Sequence, residues 1–119
     1  MFDDDLEFEA IDESVIEQRL KSLGVPFSAE YFASTQTPPY VVYLTPSADY
    51  YGADGVNLKR DQRFRIELYT KSKADKLRLR LFKLFEDVPF SVEEESGGQK
   101  NYYYTSITFE QTLDLDIDL

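Results

Sequence analysis

The chain has 119 residues, 42% hydrophobic and 15% aromatic, with no histidine, no cysteine and a formal net charge of −10. That much apolar material suits one folded domain around a single core rather than a disordered chain or two thin domains. Without imidazole or thiol the chain has no Ser-His triad, thiolate nucleophile, disulfide or ordinary zinc framework, and its acid excess opposes nucleic-acid binding, which draws on Lys and Arg against phosphate.

Residues 1–11 carry five acids among scattered apolar residues, the composition of a loosely held arm. Asp3, Asp4 and Asp5 stand where a signal peptide needs positive charge, and every apolar run falls short of the roughly 18 residues that span a bilayer. Neither export nor membrane insertion is expected, and the absence of cysteine suits a reducing cytoplasm. A helix follows. Asp12 or Ser14 can cap it, Ser14 and Glu17 have capping-box spacing, Ile16, Leu20 and Leu23 share one face, and Gly24 and Pro26 end it. Phe27 to Ser34 reads as a strand, Thr35 to Pro39 as a turn, and Tyr40 to Leu44 as a buried strand led in by Pro38 and Pro39, which together predict a hairpin.

The connection from Thr45 to Leu58 is long for a compact domain, and such connections are functional loops, extended hairpin tips or mobile segments. Asp54 and Gly55 suit the positive-φ positions of a tight reversal. Tyr50, Tyr51 and Asp54 make this a candidate partner-contact loop, the alternative being that the rings fold back onto the sheet. Phe64, Ile66 and Leu68 then alternate with Arg63, Arg65 and Glu67 as a half-buried strand does.

Leu77 to Phe85 alternates like a strand, yet Leu, Lys and Arg favour helix, no β-branched residue lies between Lys73 and Asp87, and Ser72 with Asp75 supplies a capping box. A helix is expected, with Ala74, Leu77, Leu81, Leu84, Phe85 and Val88 on one side. Leu79 and Phe82 project away from that stripe. Either a groove or the N-terminal arm covers them within the monomer, or with Arg78 and Arg80 they form a subunit interface. Phe90 and Val92 open another strand, Ser96 to Lys100 forms a Gly-Gly turn, and Tyr102 to Leu113 returns as a long strand. The ending LDLDIDL alternates leucine and isoleucine with aspartate. It continues its own strand, lies unstructured, or adds Leu115, Ile117 and Leu119 to the sheet edge of a neighbouring copy.

These elements predict an α+β domain with a mostly antiparallel sheet of about five strands and two helices on one face. Lys59 to Lys83 holds ten basic residues against three acids, so the rest of the chain is strongly acidic, a segregation that suits complementary patches or simply solvated faces. Asp114, Asp116 and Asp118 lack the glycine and glutamate of a calcium loop, and no glycine-rich segment has the lysine of a phosphate loop. No enzyme activity, cofactor or metal is expected.

The segments PPYVVYL (38–44), YGADG (51–55) and RIELYTK (65–71) are similar to small proteins in the tail modules of long-tailed bacteriophages, classed as tail terminator or tail-to-head joining proteins. The resemblance spans roughly Leu20 to Thr112. It implies a small α/β subunit that closes into a ring, six-membered in that family, on the head-proximal end of the tail tube. There it stops tube growth and meets the head connector; the implied partners are further copies of the chain, the tube protein and the connector. The YGADG loop and the helix after RIELYTK match the family pattern, and neither carries a catalytic role. The acidic arm and the LDLDIDL ending depart from it. Two other uses stay open on the residues: a monomeric acidic adaptor or inhibitor filling a basic site, and a head-completion or baseplate component.

Overall fold

In a computed structural model of the protein, residues 10–53, 57–72, 76–96 and 102–115 are described. The chain runs through α1 (Glu13–Lys21), β1 (Phe27–Ala29), β2 (Tyr40–Ala53), β3 (Asn57–Thr70), α2 (Leu77–Leu84), β4 (Ser91–Ser96) and β5 (Tyr103–Asp114). The strands form one sheet in the order β1-β2-β3-β5-β4, antiparallel except between β1 and β2. This is the single α+β domain expected from the pattern, with both helices on one face. No helix among the described residues is long and apolar enough to cross a membrane.

Alternation along the strands selects the buried face. Val41 and Tyr43 of β2, Phe64, Ile66 and Leu68 of β3, and Ile107, Phe109 and Leu113 of β5 point to the helical side, where Ile16, Leu20, Leu81 and Phe85 meet them. Burial of such side chains stabilises by about 1.5–3 kcal/mol each, before conformational entropy opposes it. Packing holds both helices, since neither the nine residues of α1 nor the eight of α2 would stay helical alone. For α1 the local signals are clear. Its N-cap is Asp12, whose carboxylate accepts from the Val15 amide at 3.0 Å, so Ser14 falls inside the first turn. Beyond its end Gly24 has φ 73 with open space where a Cβ would sit. Gly24→Ala is therefore expected to cost about 1 kcal/mol through left-handed backbone strain alone, read as a lower urea midpoint with an unchanged slope.

Four sequence expectations need correction. Ile11, assigned with the loosely held arm, is instead fully buried in the core, and its amide donates to Gln111 Oε1 of β5 at 2.9 Å. Phe27 to Ser34 is not the first arm of a hairpin: β1 ends at Ala29 and lies parallel to β2, with Phe27 opposite Val41 and Ala29 opposite Tyr43. Glu30, at φ 64, breaks the strand while its amide still donates to the Tyr43 carbonyl at 2.8 Å. The next nine residues, 31–39, bring the chain back to run in the same direction.

Thr45 to Ala53 is strand rather than loop. A register shift between Leu44 and Ser47 leaves Thr45 and Pro46 outside the ladder, which is where a residue without an N–H is tolerated. The Thr45 amide instead donates to the Glu30 carboxylate at 3.3 Å, and Gln62, buried opposite, donates to the Ser47 carbonyl at 2.8 Å. β2 and β3 consequently run 14 residues each, about 46 Å at about 3.3 Å per residue, which accounts for the 53 Å long axis of the molecule.

α2 starts later than the Ser72–Asp75 box implies, with Lys76 at its N-cap and no side-chain cap. Asp75 and Ala74 lie outside the described residues. Phe82 is half-buried against the core, its ring 5.8 Å from Phe90, because the chain entering β4 crosses that flank. Leu79 alone of the two leftover side chains stays outside, at 56% exposure.

Candidate functional site

The sheet face opposite the helices carries the densest set of polar and aromatic groups. Strand register sets Tyr40, Tyr69, Tyr104 and Glu95 opposite one another in β2, β3, β5 and β4, making one row straight across four strands. Val42, Glu67, Ser106 and Glu93 form the next row. Tyr69 is the centre of the first: its ring stacks on Tyr40 at 4.7 Å and meets Tyr104 at 5.3 Å and Tyr102 at 5.5 Å. Phe32, from the segment linking β1 to β2, closes the row edge-on against Tyr40 at 5.6 Å.

Hydrogen bonds lock this face. Glu67 accepts from the Tyr69 hydroxyl at 3.0 Å, the Tyr104 hydroxyl at 3.1 Å and Arg65 Nε at 2.9 Å. Arg65 also donates to Tyr104 and, at 3.0 Å, to Glu93. Burial raises the Tyr69 phenol above its ordinary range, and the neighbouring Glu67 carboxylate adds to it. Burial likewise raises Tyr40 and Tyr104, the latter against the opposing pull of Arg65. The phenols therefore remain neutral through physiological pH, presenting π faces beside carboxylates, the surroundings that favour a cation. Glu95 has no ion pair among the described residues.

Two hollows flank Tyr69. The larger, about 510 Å³, lies between it and the 30–36 segment, with Glu30, Tyr31 and Gln36 on its rim. Tyr31 overhangs it at 75% exposure. The smaller, about 250 Å³, runs from Tyr69 past Tyr102 to Glu95. Tyr31, Tyr40, Tyr69, Tyr102 and Tyr104 were not singled out by sequence reasoning. For Tyr40, Tyr69 and Tyr104 the available signal was parity, since they occupy strand positions that alternate with the core residues; with Tyr31 and Tyr102, which lie outside the strands, they make five of the nine tyrosines.

The residues that sequence reasoning did select lie elsewhere. Tyr50 and Tyr51 are on the strand of the β2–β3 hairpin, not in a loop, and face opposite sides of it; Asp54 lies outside the described residues. Tyr50 is 65% exposed, while the Tyr51 hydroxyl donates to Asp61 at 3.3 Å. Arg78 pairs with Glu94 at 3.1 Å and Arg80 donates to the Ser22 carbonyl at 3.1 Å, so both guanidinium groups engage their own chain around the exposed Leu79. The Leu115 amide donates to the Leu58 carbonyl at 2.9 Å, extending β5 along its own β3. Ile117 and Leu119 lie outside the described residues.

The segregated charges also meet within the chain. Lys59 pairs with Asp114, Arg60 with Glu13, Arg65 with Glu67 and Glu93, Arg78 with Glu94, and Lys83 with Glu86. Exposed pairs of this kind contribute about 0–1 kcal/mol each, so their effect is to orient side chains more than to stabilise. Neither the scan against protein-family models nor the search of curated proteins finds a match to this chain.

Proposed function

We propose that the chain is a virion structural protein of a long-tailed phage: a tail terminator or tail-to-head joining subunit, assembled in the host cytoplasm, that rings the head-proximal end of the tail tube. The observation that carries this reading is the three-stranded extension built from the distal parts of β2, β3 and β5. It presents Tyr50, Tyr51 and Leu58 to solvent. Among the described residues no strand pairs with the outer edge of β2 beyond Tyr43 or of β5 beyond Thr108. Open edges with exposed aromatic rings are what a subunit offers to neighbours, because main-chain hydrogen bonds and large rigid rings supply contact at low entropic cost. The resemblance of PPYVVYL, YGADG and RIELYTK to tail-module proteins narrows the neighbours to copies of itself, the tube protein and the head connector.

Tails assembled without this protein are expected to be overlong in electron micrographs. Tubes of normal length would overturn termination as the role.

A second reading, the monomeric acidic adaptor, draws on the net charge of −10 together with the internal pairing of many of the basic residues. It predicts a monomer at high concentration whose binding to a basic partner weakens steeply with salt.

A further inference from the structure

Deepening that reading, and resting on its claim that copies of the chain contact one another, we infer that the exposed flank of α2 in one copy docks on the tyrosine row of the next. Lys76, Leu79, Arg80 and Lys83 fall at i, i+3, i+4 and i+7, the spacing of a single helix face, and all four are exposed. That face lies opposite Leu81 and Phe85, which are fully buried, so it points directly away from the sheet. The result is a cationic stripe with one leucine at its middle, and neither Lys76 nor Arg80 has a carboxylate partner among the described residues.

The far side of the sheet has the complementary chemistry. Tyr40, Tyr69 and Tyr104 offer neutral rings, and Glu95 at the end of the row and Glu93 and Glu67 in the adjacent one offer carboxylates, of which Glu67 and Glu93 pair with Arg65 and Glu95 has no ion pair among the described residues. The dimensions agree. Seven residues of helix extend about 10 Å, and a row across four strands about 14 Å. Leu79 would lie on the rings while Lys76, Arg80 and Lys83 reach the carboxylates and π faces, contacts that both attract and fix register.

The sheet stands between the outward flank of α2 and the tyrosine rings, so one chain cannot lay its own Leu79 on its own row. The two patches face in opposite directions across the thin dimension of a molecule measuring 53 × 36 × 22 Å. Patches that differ and point apart propagate head to tail, a heterologous contact that closes into a ring when the rotation between copies closes and otherwise runs on as an open filament.

The absence of native cysteine makes the test direct. Leu79→Cys protein is mixed with Glu95→Cys protein, and separately with Glu110→Cys protein, whose exposed site lies on the same sheet face about 20 Å further along β5. Disulfide formation is followed in concentrated solution and on isolated tails. The 79–95 pair is expected to cross-link about tenfold faster than the 79–110 pair, and adding Lys76→Glu, Arg80→Glu and Lys83→Glu to the Leu79→Cys chain is expected to abolish the difference. Equal rates for the two pairs would overturn the docking, as would faster joining of Glu95→Cys chains to one another, which marks a sheet-to-sheet contact. Overlong tails without 79–95 cross-linking would refute this interface and leave tail termination standing. Cross-linking with tails of normal length would do the reverse.

Discussion

Replacing Phe85 with alanine is expected to remove about 3–5 kcal/mol of stability, a large part of the about 5–15 kcal/mol that holds a domain of this size folded. Phe85 is fully buried at the end of α2. Its ring meets Phe109 of β5 at 5.5 Å, and Phe109 in turn meets Phe64 of β3 at 5.5 Å, so three rings in series tie the helix to the two central strands. The Arg19 guanidinium lies over the same ring at 5.3 Å, bringing α1 to the seam. Alanine leaves a cavity that neither strand can collapse into without losing ladder hydrogen bonds. Leucine fills most of it and should cost far less. Urea unfolding followed by circular dichroism separates the two; a loss below about 1 kcal/mol for the alanine variant would mean that the seam carries little of the packing.

The parts of this fold that the sequence made legible are those encoded within a few residues. Phe64, Ile66 and Leu68 announce a half-buried strand by alternation, Ile16 and Leu20 a helix face by their spacing of four, and Gly24 a helix end by the conformation it alone adopts easily. What stayed hidden depends on relations between segments. Whether Phe27–Ala29 runs parallel or antiparallel to β2 turns on Glu30 entering the left-handed region and on the path of residues 31–39, and nothing in their composition states a direction. Thr45 to Leu58 read only as one long connection, because the bulge that excuses Pro46 from the ladder and lets β2 run on to Ala53 is set by pairing with β3.

The tyrosine face was hidden for a related reason. Tyr40, Tyr69 and Tyr104 each look like an ordinary outward residue of one strand. Only the register of three strand pairs puts them in a line with Glu95. Charge shows the same limit from the other side: the basic run from Lys59 to Lys83 was visible, but that Glu13, Glu93, Glu94 and Asp114 would answer much of it inside the chain was not.

Arg19→Met is expected to cost about 2–3 kcal/mol near neutral pH, because one guanidinium serves three groups and methionine keeps only its stem. Nη1 donates to the Leu84 carbonyl at 2.9 Å, one of the last carbonyls of α2, and the two terminal nitrogens hold both Asp87 oxygens at 2.7 and 2.8 Å. Removing it leaves a half-buried helix-end carbonyl without its donor. It also changes how stability responds to acid. The hydrogen bond from Arg19 lowers the Asp87 carboxyl below the ordinary carboxylate range, against the smaller opposing effect of burial. A carboxyl lowered in the folded state adds stability above its unfolded value near 3.9, and that contribution is lost as pH falls through the folded value. The gap between the natural chain and Arg19→Met should therefore be widest near pH 7 and narrow progressively below about pH 4, with the Leu84 contribution persisting as the residue. Asp87→Asn should narrow the pH dependence in the same way while retaining the Leu84 contact, so its loss at neutral pH is smaller. Parallel acid profiles for all three proteins would show that this pair does not couple α1 to the end of α2 in the way its geometry implies.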